Sequence, residues 1–575
     1  MRILFLTHSF NSLTQRLFVE LRERGHEVAI ELDIADSVSE EAVALFQPHL
    51  IVAPFLKRAV PASIWQHHVC LIVHPGIVGD RGPSSLDWAI LDGEREWGVT
   101  VLQANAEMDA GDIWASRTFP MRVAKKSSLY RNEVTSAALD AVLEAIGKFE
   151  RGERPLPLAE AGATCGRLRP LLRQEQRRIE WCADDTATVL AKINSADGFP
   201  GVRDSLFGID CFLYDAHAAT RRALDAVGGQ AGEVVARRED AVLRRTADGG
   251  VWIGHTRLAP GDAVADKPLK LPVALAFPAQ VARLPELPAY PERPDDEWGE
   301  LRYREQDGVG YLSFDFYNGA MSTAHCRRLR EAVAEARQRP VRVLVLLGGE
   351  DFFSNGIHLN CIEAAAHRPD GSAADESWHN INAMDDLALE ILSATDQLTI
   401  AAMRGNAGAG GVFLALAADS VWAREGVLLN PHYKNMGNLY GSEYWTYLLP
   451  QRVGAEQARA ITQNRMPLSA AQAARMGLID AAFDADEASF MREVTRRASA
   501  LAKAGDYAER LAAKRERRAR DEAAKPLQAY RDEELAKMRR NFFGFDPSYH
   551  VARYHFVHKM PHAWTPRHLA IHRDA

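Results

Sequence analysis

The chain has 575 residues and six cysteines, none of them in a Cys-x-x-Cys pair. Cys70, Cys165, Cys182, Cys211, Cys326 and Cys361 lie far apart, which argues against a zinc site and against a disulfide framework. No window is long and apolar enough to span a bilayer. The apolar run in "MRILFLTH" is too short for a signal-peptide core and no small-residue cleavage site follows it, so a cytoplasmic protein is expected. Positive charge is not in excess either: 69 Lys and Arg against 77 Asp and Glu give a formal net charge of -8. That leaves no broad cationic field, and neither nucleic acid nor a membrane is expected as a partner. The one dense basic run, "KRERRAR" from Lys514, is interspersed with acids and reads as a solvated helix face. The dinucleotide fingerprint Gly-x-Gly-x-x-Gly is missing from the first strand-helix turn, "THSFNSLTQ", so NAD binding is unsupported.

What is present is ordinary globular sequence. A hydrophobic content of 47% with 25% charged residues excludes a disordered chain, and the length calls for roughly three or four units. The class is α/β. Short β-branched runs ("RILFLTHS", "EVAIELD", "HLIVAPF", "VCLIVHP") alternate with helix-compatible segments, a pattern that predicts a parallel sheet flanked by helices over 1–170. From about Arg177 the texture changes to short strands and turns, so 171–283 reads as a small β-rich domain. The Pro- and acid-rich stretch "LPELPAYPERPDDEWGE" disfavours both helix interior and central strand and makes 284–300 the best linker. Strands before Gly- or Asn-containing turns return over 301–490, and 491–575 is Ala-, Arg- and Glu-rich helical sequence.

The segment "LIVHPGIVGDRGPSSLDWAI" ends a buried strand on His74, the place where open α/β sheets present ligands. About 25 residues later "WGVTVLQANAEMDAGDIWA" carries Asp109, Gly111 and Asp112 in a second strand-end loop. Together with His74-Pro75, Arg81-Gly82, "GVT" at 98–100, "MDAGDI" at 108–113 and "GFPGV" at 198–202, these pieces resemble the 10-formyltetrahydrofolate-dependent formyltransferases, methionyl-tRNA formyltransferase above all. The resemblance covers residues 1 to about 275. It implies a formyl transfer in which His74 and Asp109 stabilise the tetrahedral intermediate and move its proton, with Arg81, Gly82 and Asp112 on the folate. One departure stands out: the family's oxyanion-donating Asn falls on Ile72, which cannot donate. Gln103 is a candidate replacement.

In the second half, "FFSNGIHL" and "MRGNAGAGGVFLALAAD" resemble the oxyanion-hole segments of the enoyl-CoA hydratase/isomerase (crotonase) family over roughly 300–500. The implied thioester donors are the amides of Ile357 and Gly410, and the implied ligand is an acyl-coenzyme A. Both hydratase glutamates are missing. Phe413 stands at the first position, and the second falls near Leu429 or Asn430, so ordinary hydration of an enoyl group is not expected. "NMGNLYGSEYWTYLLP" offers replacements, of which Tyr440 and Glu443 are the choice. The tail histidines (His550, His555, His558, His562, His568, His572) follow no ligand spacing and have no acidic or thiol partner in the sequence pattern, so no metal is expected.

The fusion of these two halves resembles the HypX (HoxX) hydrogenase maturation factors. That resemblance implies synthesis of the carbon monoxide ligand of NiFe hydrogenase, with formyl transfer to coenzyme A followed by breakdown of formyl-CoA and with hydrogenase maturation proteins as possible partners. Two other classes are compatible with the residues. One is a formyl-folate hydrolase or acyl-CoA enzyme with one inactive half, which would release formate without CO. The other is a non-catalytic assembly protein, which would bind without turnover.

Overall fold

A computed structural model describes residues 1–162, 165–261 and 268–573. The chain forms two compact units, Met1–Leu287 with Pro561–Ala575, and Pro288–Met560. The break falls inside the expected linker.

The first unit opens with strands β1 (Arg2–Thr7), β2 (Glu27–Leu32), β3 (Leu50–Ala53), β4 (Cys70–His74), β5 (Glu96–Gln103) and β6 (Ile113–Pro120). They form one sheet in the order β2-β1-β3-β4-β5-β6. The first four are parallel, as their apolar, two-sided burial predicts. β5 runs antiparallel to β4, and β6 antiparallel to β5, so the expected parallel sheet is in fact mixed. The β5–β6 loop, 104–112, holds no helix to act as a crossover, and a short connection permits only antiparallel pairing. Helix Ser12–Glu23 packs beside the sheet; its N-cap Asn11 accepts from Thr14 N at 3.0 Å.

Strands β7 (Val202–Leu206), β8 (Ile209–Ala218), β9 (Val234–Arg238), β10 (Ala241–Arg245), β11 (Gly250–Leu258) and β12 (Lys270–Pro272) make the second, antiparallel sheet. Its apolar face, with Val202, Leu213, Val251 and Ile253, closes on helix Thr186–Ala196 through Val189 and Ile193.

The last residues belong to this unit too. β2 is an edge strand, and its outward N–H groups would otherwise be open to pairing with another chain. Leu569 O accepts from Ile30 N at 3.0 Å and Thr565 Oγ1 from Leu32 N at 2.9 Å. The fully buried Glu31 between them receives His572 Nε2 at 2.8 Å, Arg573 Nε at 3.0 Å and the Thr565 hydroxyl.

The second unit contains a six-stranded sheet made of β13 (Leu301–Gln306), β14 (Val309–Phe314), β15 (Val343–Leu347), β17 (Leu398–Met403), β19 (Ser420–Arg424) and β22 (Ala481–Phe483), in that order. A smaller sheet takes β16 (Phe352–Ser354), β18 (Asn406–Gly408), β20 (Leu428–Asn430) and β21 (Leu468–Ser469). The main core gathers Leu312, Leu344 and Ala401 with residues of helices Thr323–Arg337 and Ala373–Leu392. Helices Glu487–Lys503, Tyr507–Ala524, Leu527–Phe543 and Ser548–Val557 follow, as the composition predicts. The basic run is less solvated than expected: Lys514 is buried, with its ammonium 2.5 Å from Asp419 and 2.8 Å from the carbonyl of Gln397. Among the described residues no helix is long and apolar enough to cross a membrane.

Candidate active sites

In the first unit β4 delivers His74 to the end of the sheet, where the ring is buried at 4% exposure. Two carboxylates face its two nitrogens. Asp80 Oδ2 lies 3.1 Å from Nε2, and Asp109 Oδ1 lies 3.6 Å from Nδ1, within charge range but beyond a hydrogen bond. The Asp80 side chain is fully buried, so it fixes the orientation and tautomer of the ring. Gly76 makes this possible, because a Cβ there would collide with both His74 Nε2 and Asp80 Oδ2. Asp109 adopts a left-handed backbone at φ 55, which Asp tolerates better than most side chains. Its other oxygen accepts from Gly82 N at 3.2 Å. His74, Asp109 and Gly82 therefore come together.

Arg81, Asp112 and Gln103 are placed as follows. The Arg81 guanidinium turns to Glu107. The Asp112 side chain is exposed and only its carbonyl is engaged, by Gln103 N at 2.8 Å. Gln103 cannot replace the missing donor at Ile72. It pairs in register with Leu71, while Ile72 pairs with Leu102 and His74 with Thr100, so strand alternation puts its side chain on the face opposite His74. Its amide oxygen accepts from Trp114 Nε1 at 3.0 Å. Asp80 is the residue that the sequence reading missed.

In the second unit the two glycine-containing loops meet: a Cβ built on Gly356 would lie 3.3 Å from Gly410 N. Ile357 forms a parallel bridge with Met321. Met321 bonds to the flanking Gly356 O at 2.9 Å and His358 N at 3.1 Å, which leaves the Ile357 N–H directed away from it. Gly410 begins helix Gly410–Leu416, so its N–H has no intrahelical acceptor. The preceding Ala409 holds φ 48 and ψ -126, a strained conformation of the kind stored at functional sites.

Glu443 closes this site. Its carboxyl lies so close to Gly410 that a Cβ there would collide with Oε1, and Tyr433 donates its hydroxyl to Oε2 at 2.5 Å. Burial, reinforced by the nearby Asp385 charge, holds the Glu443 carboxyl well above the usual carboxylate range, and burial followed by the Glu443 charge raises the Tyr433 phenol. Phe413, at the vacant hydratase position, stacks on Tyr433 with ring centres 5.3 Å apart. Leu429 is buried beside it in the same core. Tyr440 is half-buried; its hydroxyl accepts from Lys537 Nζ at 3.0 Å and its ring rests on Trp445. The phenol that reaches Glu443 is thus that of Tyr433, a residue absent from the sequence reading.

Acidic partners do accompany two of the tail histidines. His572 meets Glu31, and His558 Nε2 lies 3.3 Å from Glu363 Oε1. Glu363, His367 and His558 place one donor atom each within 4.8 Å of one another. Both Glu363 oxygens are already engaged, Oε2 by Arg553 Nε at 2.7 Å, which anchors helix Ser548–Val557 to helix Leu359–Ala365.

The geometry defines a two-part chain, with a buried His-carboxylate cluster at the end of the first sheet and, in the second unit, two glycine-containing loops closed by a buried carboxyl. Known proteins carry the same two parts. The formyl transferase family model matches residues 30–146, and the enoyl-CoA hydratase/isomerase model matches 304–566. A methionyl-tRNA formyltransferase of Geobacter metallireducens is 22% identical over 38% of this chain and 70% of its own. The hydrogenase maturation factor HoxX of Bradyrhizobium diazoefficiens is 56% identical over 100% of this chain and 97% of its own. The crystal structure of HypX from Aquifex aeolicus in complex with tetrahydrofolic acid superposes with a TM-score of 0.94 at 49% identity, covering 100% of this chain and 99% of that one. The chain belongs to the HypX/HoxX family of hydrogenase maturation factors.

Proposed function

We propose that this protein makes carbon monoxide for the metal centre of a NiFe hydrogenase, taking the formyl group of 10-formyltetrahydrofolate and passing it through coenzyme A. In the first unit the CoA sulfur attacks the formyl carbon. The thiol proton goes to His74, held between the Asp80 and Asp109 carboxylates, and then to the folate nitrogen as the carbon–nitrogen bond breaks. The products are formyl-CoA and tetrahydrofolate. Arg81, Gly82 and Asp112 are the proposed folate contacts, with Gly82 tied to Asp109.

In the second unit the Ile357 and Gly410 amides polarise the formyl carbonyl. The carbon–sulfur bond breaks, the formyl proton leaves carbon, and a proton reaches sulfur, so formyl-CoA becomes CO and the free thiol with no net gain or loss of protons. Glu443 is the proposed carrier: it protonates the departing sulfur and recovers the formyl proton. Tyr433 steadies it, and Tyr440 lines the approach beside Trp445. The observation that carries this reading is the buried Glu443 carboxyl against Gly410, in a site where Phe413 stands at the first hydratase position and the second falls near Leu429 or Asn430. Support comes from the full-length likeness to HoxX and from tetrahydrofolic acid in the Aquifex HypX crystal.

Glu443→Gln tests it. The variant keeps formyl transfer, loses CO release by about 100-fold or more, and accumulates formyl-CoA or formate. Wild-type CO release from this variant would remove Glu443 from the chemistry.

A further inference from the structure

Glu443 sits on an unusual piece of backbone. It and Tyr444 are consecutive residues in the left-handed region, at φ 59 and φ 58, and both are buried. Neither is glycine, so the kink persists only because its surroundings enforce it. Its buried N–H groups also need acceptors. Two carboxyls from distant helices supply them. Asp385, on helix Ala373–Leu392, accepts from Glu443 N at 2.7 Å and from the Ser442 hydroxyl at 2.8 Å. Glu534, on helix Leu527–Phe543, accepts from Tyr444 N at 3.0 Å and Thr446 N at 2.8 Å.

We infer that Asp385 is a positioning residue for Glu443, holding its carboxyl toward Gly410; Glu534 completes the clamp from the other side of the kink. The inference rests on the proposed role of Glu443. The groups facing Glu443 are Asp385, Glu534, the Tyr433 phenol and the Cys326 thiol, all buried. The Arg531 guanidinium lies 3.7 Å from Asp385 and is shared with Asp386 at 2.7 Å. Three buried carboxyls beside one shared guanidinium cannot all ionise cheaply. Burial pushes Asp385 up to about 6 against the pull of Arg531, and burial together with the Asp385 charge holds Glu443 well above the usual carboxylate range. A charge on Asp385 opposes ionisation of Glu443.

Asp385→Asn separates charge from scaffold, because a carboxamide still accepts from Glu443 N and can bond Ser442. Release of CO requires neutral Glu443, so its alkaline limb should move to lower pH in Asp385→Asn by about one unit. Asp385→Ala, which removes the acceptors as well, should lose CO release at every pH while folate release from 10-formyltetrahydrofolate stays at the wild-type rate and calorimetry shows the second unit still unfolding cooperatively. A second readout does not depend on turnover: the infrared carbonyl band of the neutral Glu443 acid, assigned by its loss in Glu443→Gln, should titrate at lower pH in Asp385→Asn. An unmoved band or limb in Asp385→Asn, or wild-type CO release from Asp385→Ala, overturns the inference. Absence of CO from the wild type overturns the functional reading instead and leaves the infrared titration to decide on Asp385.

Discussion

At the scale of single residues, the account depends on which side chains meet. His74, Asp109 and Gly82 were legible because each lies in a short strand-end loop with its own sequence pattern. Asp80 was printed in the same loop, yet nothing in its spacing says that its carboxylate folds back onto the ring; only the Gly76 turn does that. Tyr433 and Asp385 stand 10 and 58 positions from their contacts at Glu443, a distance at which sequence carries no proximity. The clearest residue-level prediction therefore concerns Asp80. His74→Ala should slow folate release by about 100- to 10,000-fold. Asp80→Asn should recover only part of that rate, because the ring keeps its packing but loses the partner that sets its tautomer. If Asp80→Asn released folate at the wild-type rate in a stopped-flow assay, Asp80 would be a packing residue and no more.

Among the elements, strand positions were legible from β-branched runs, and the C-terminal helices from their composition. Strand direction was not. A helix, Ser85–Leu91, separates β4 from β5 as a parallel crossover would, yet the two strands pair antiparallel. The function of helix Leu527–Phe543 was equally hidden. It reads as a polar surface helix, but it delivers the buried Glu534 to the Glu443 kink. Burial, partly offset by the bond from Thr446 and augmented by the Asp385 charge, pushes Glu534 up to about 8. The consequence for stability has a definite sign. A carboxyl whose folded value exceeds its unfolded value binds more protons when folded, so it favours folding at low pH. That contribution is lost as pH rises from about 4.5 to about 8, by at most about 1.4 kcal/mol per pH unit. Glu534→Gln should flatten the fall in denaturant stability across this window. An unchanged slope would mean that Glu534 is ionised in the folded protein.

At the scale of the whole molecule, the break between the two units, after Leu287, lies in the Pro- and acid-rich 284–300 stretch, which was visible in composition. The return of 561–575 to the first unit was not, because the tail reads as one more polar, His-containing segment. Its contacts show that it protects the β2 edge and neutralises Glu31, whose carboxyl is held below the usual range by His572, Thr565 and Arg573 despite burial. Removing residues 561–575 should lower the melting temperature of the first unit by about 5 °C or more and expose an edge strand to self-association. Calorimetry with light scattering reads both, and an unchanged melting temperature would show that the tail is dispensable.

The tandem arrangement itself makes the largest claim, that one chain carries a formyl group from folate to CoA and then releases it as CO. Full-length wild-type protein is supplied with coenzyme A and with 10-formyltetrahydrofolate carrying a carbon isotope label in the formyl group, and CO is trapped on reduced haem. The account predicts labelled CO whose formation requires coenzyme A and stops in Glu443→Gln. Labelled formate with no labelled CO from the wild type would contradict it.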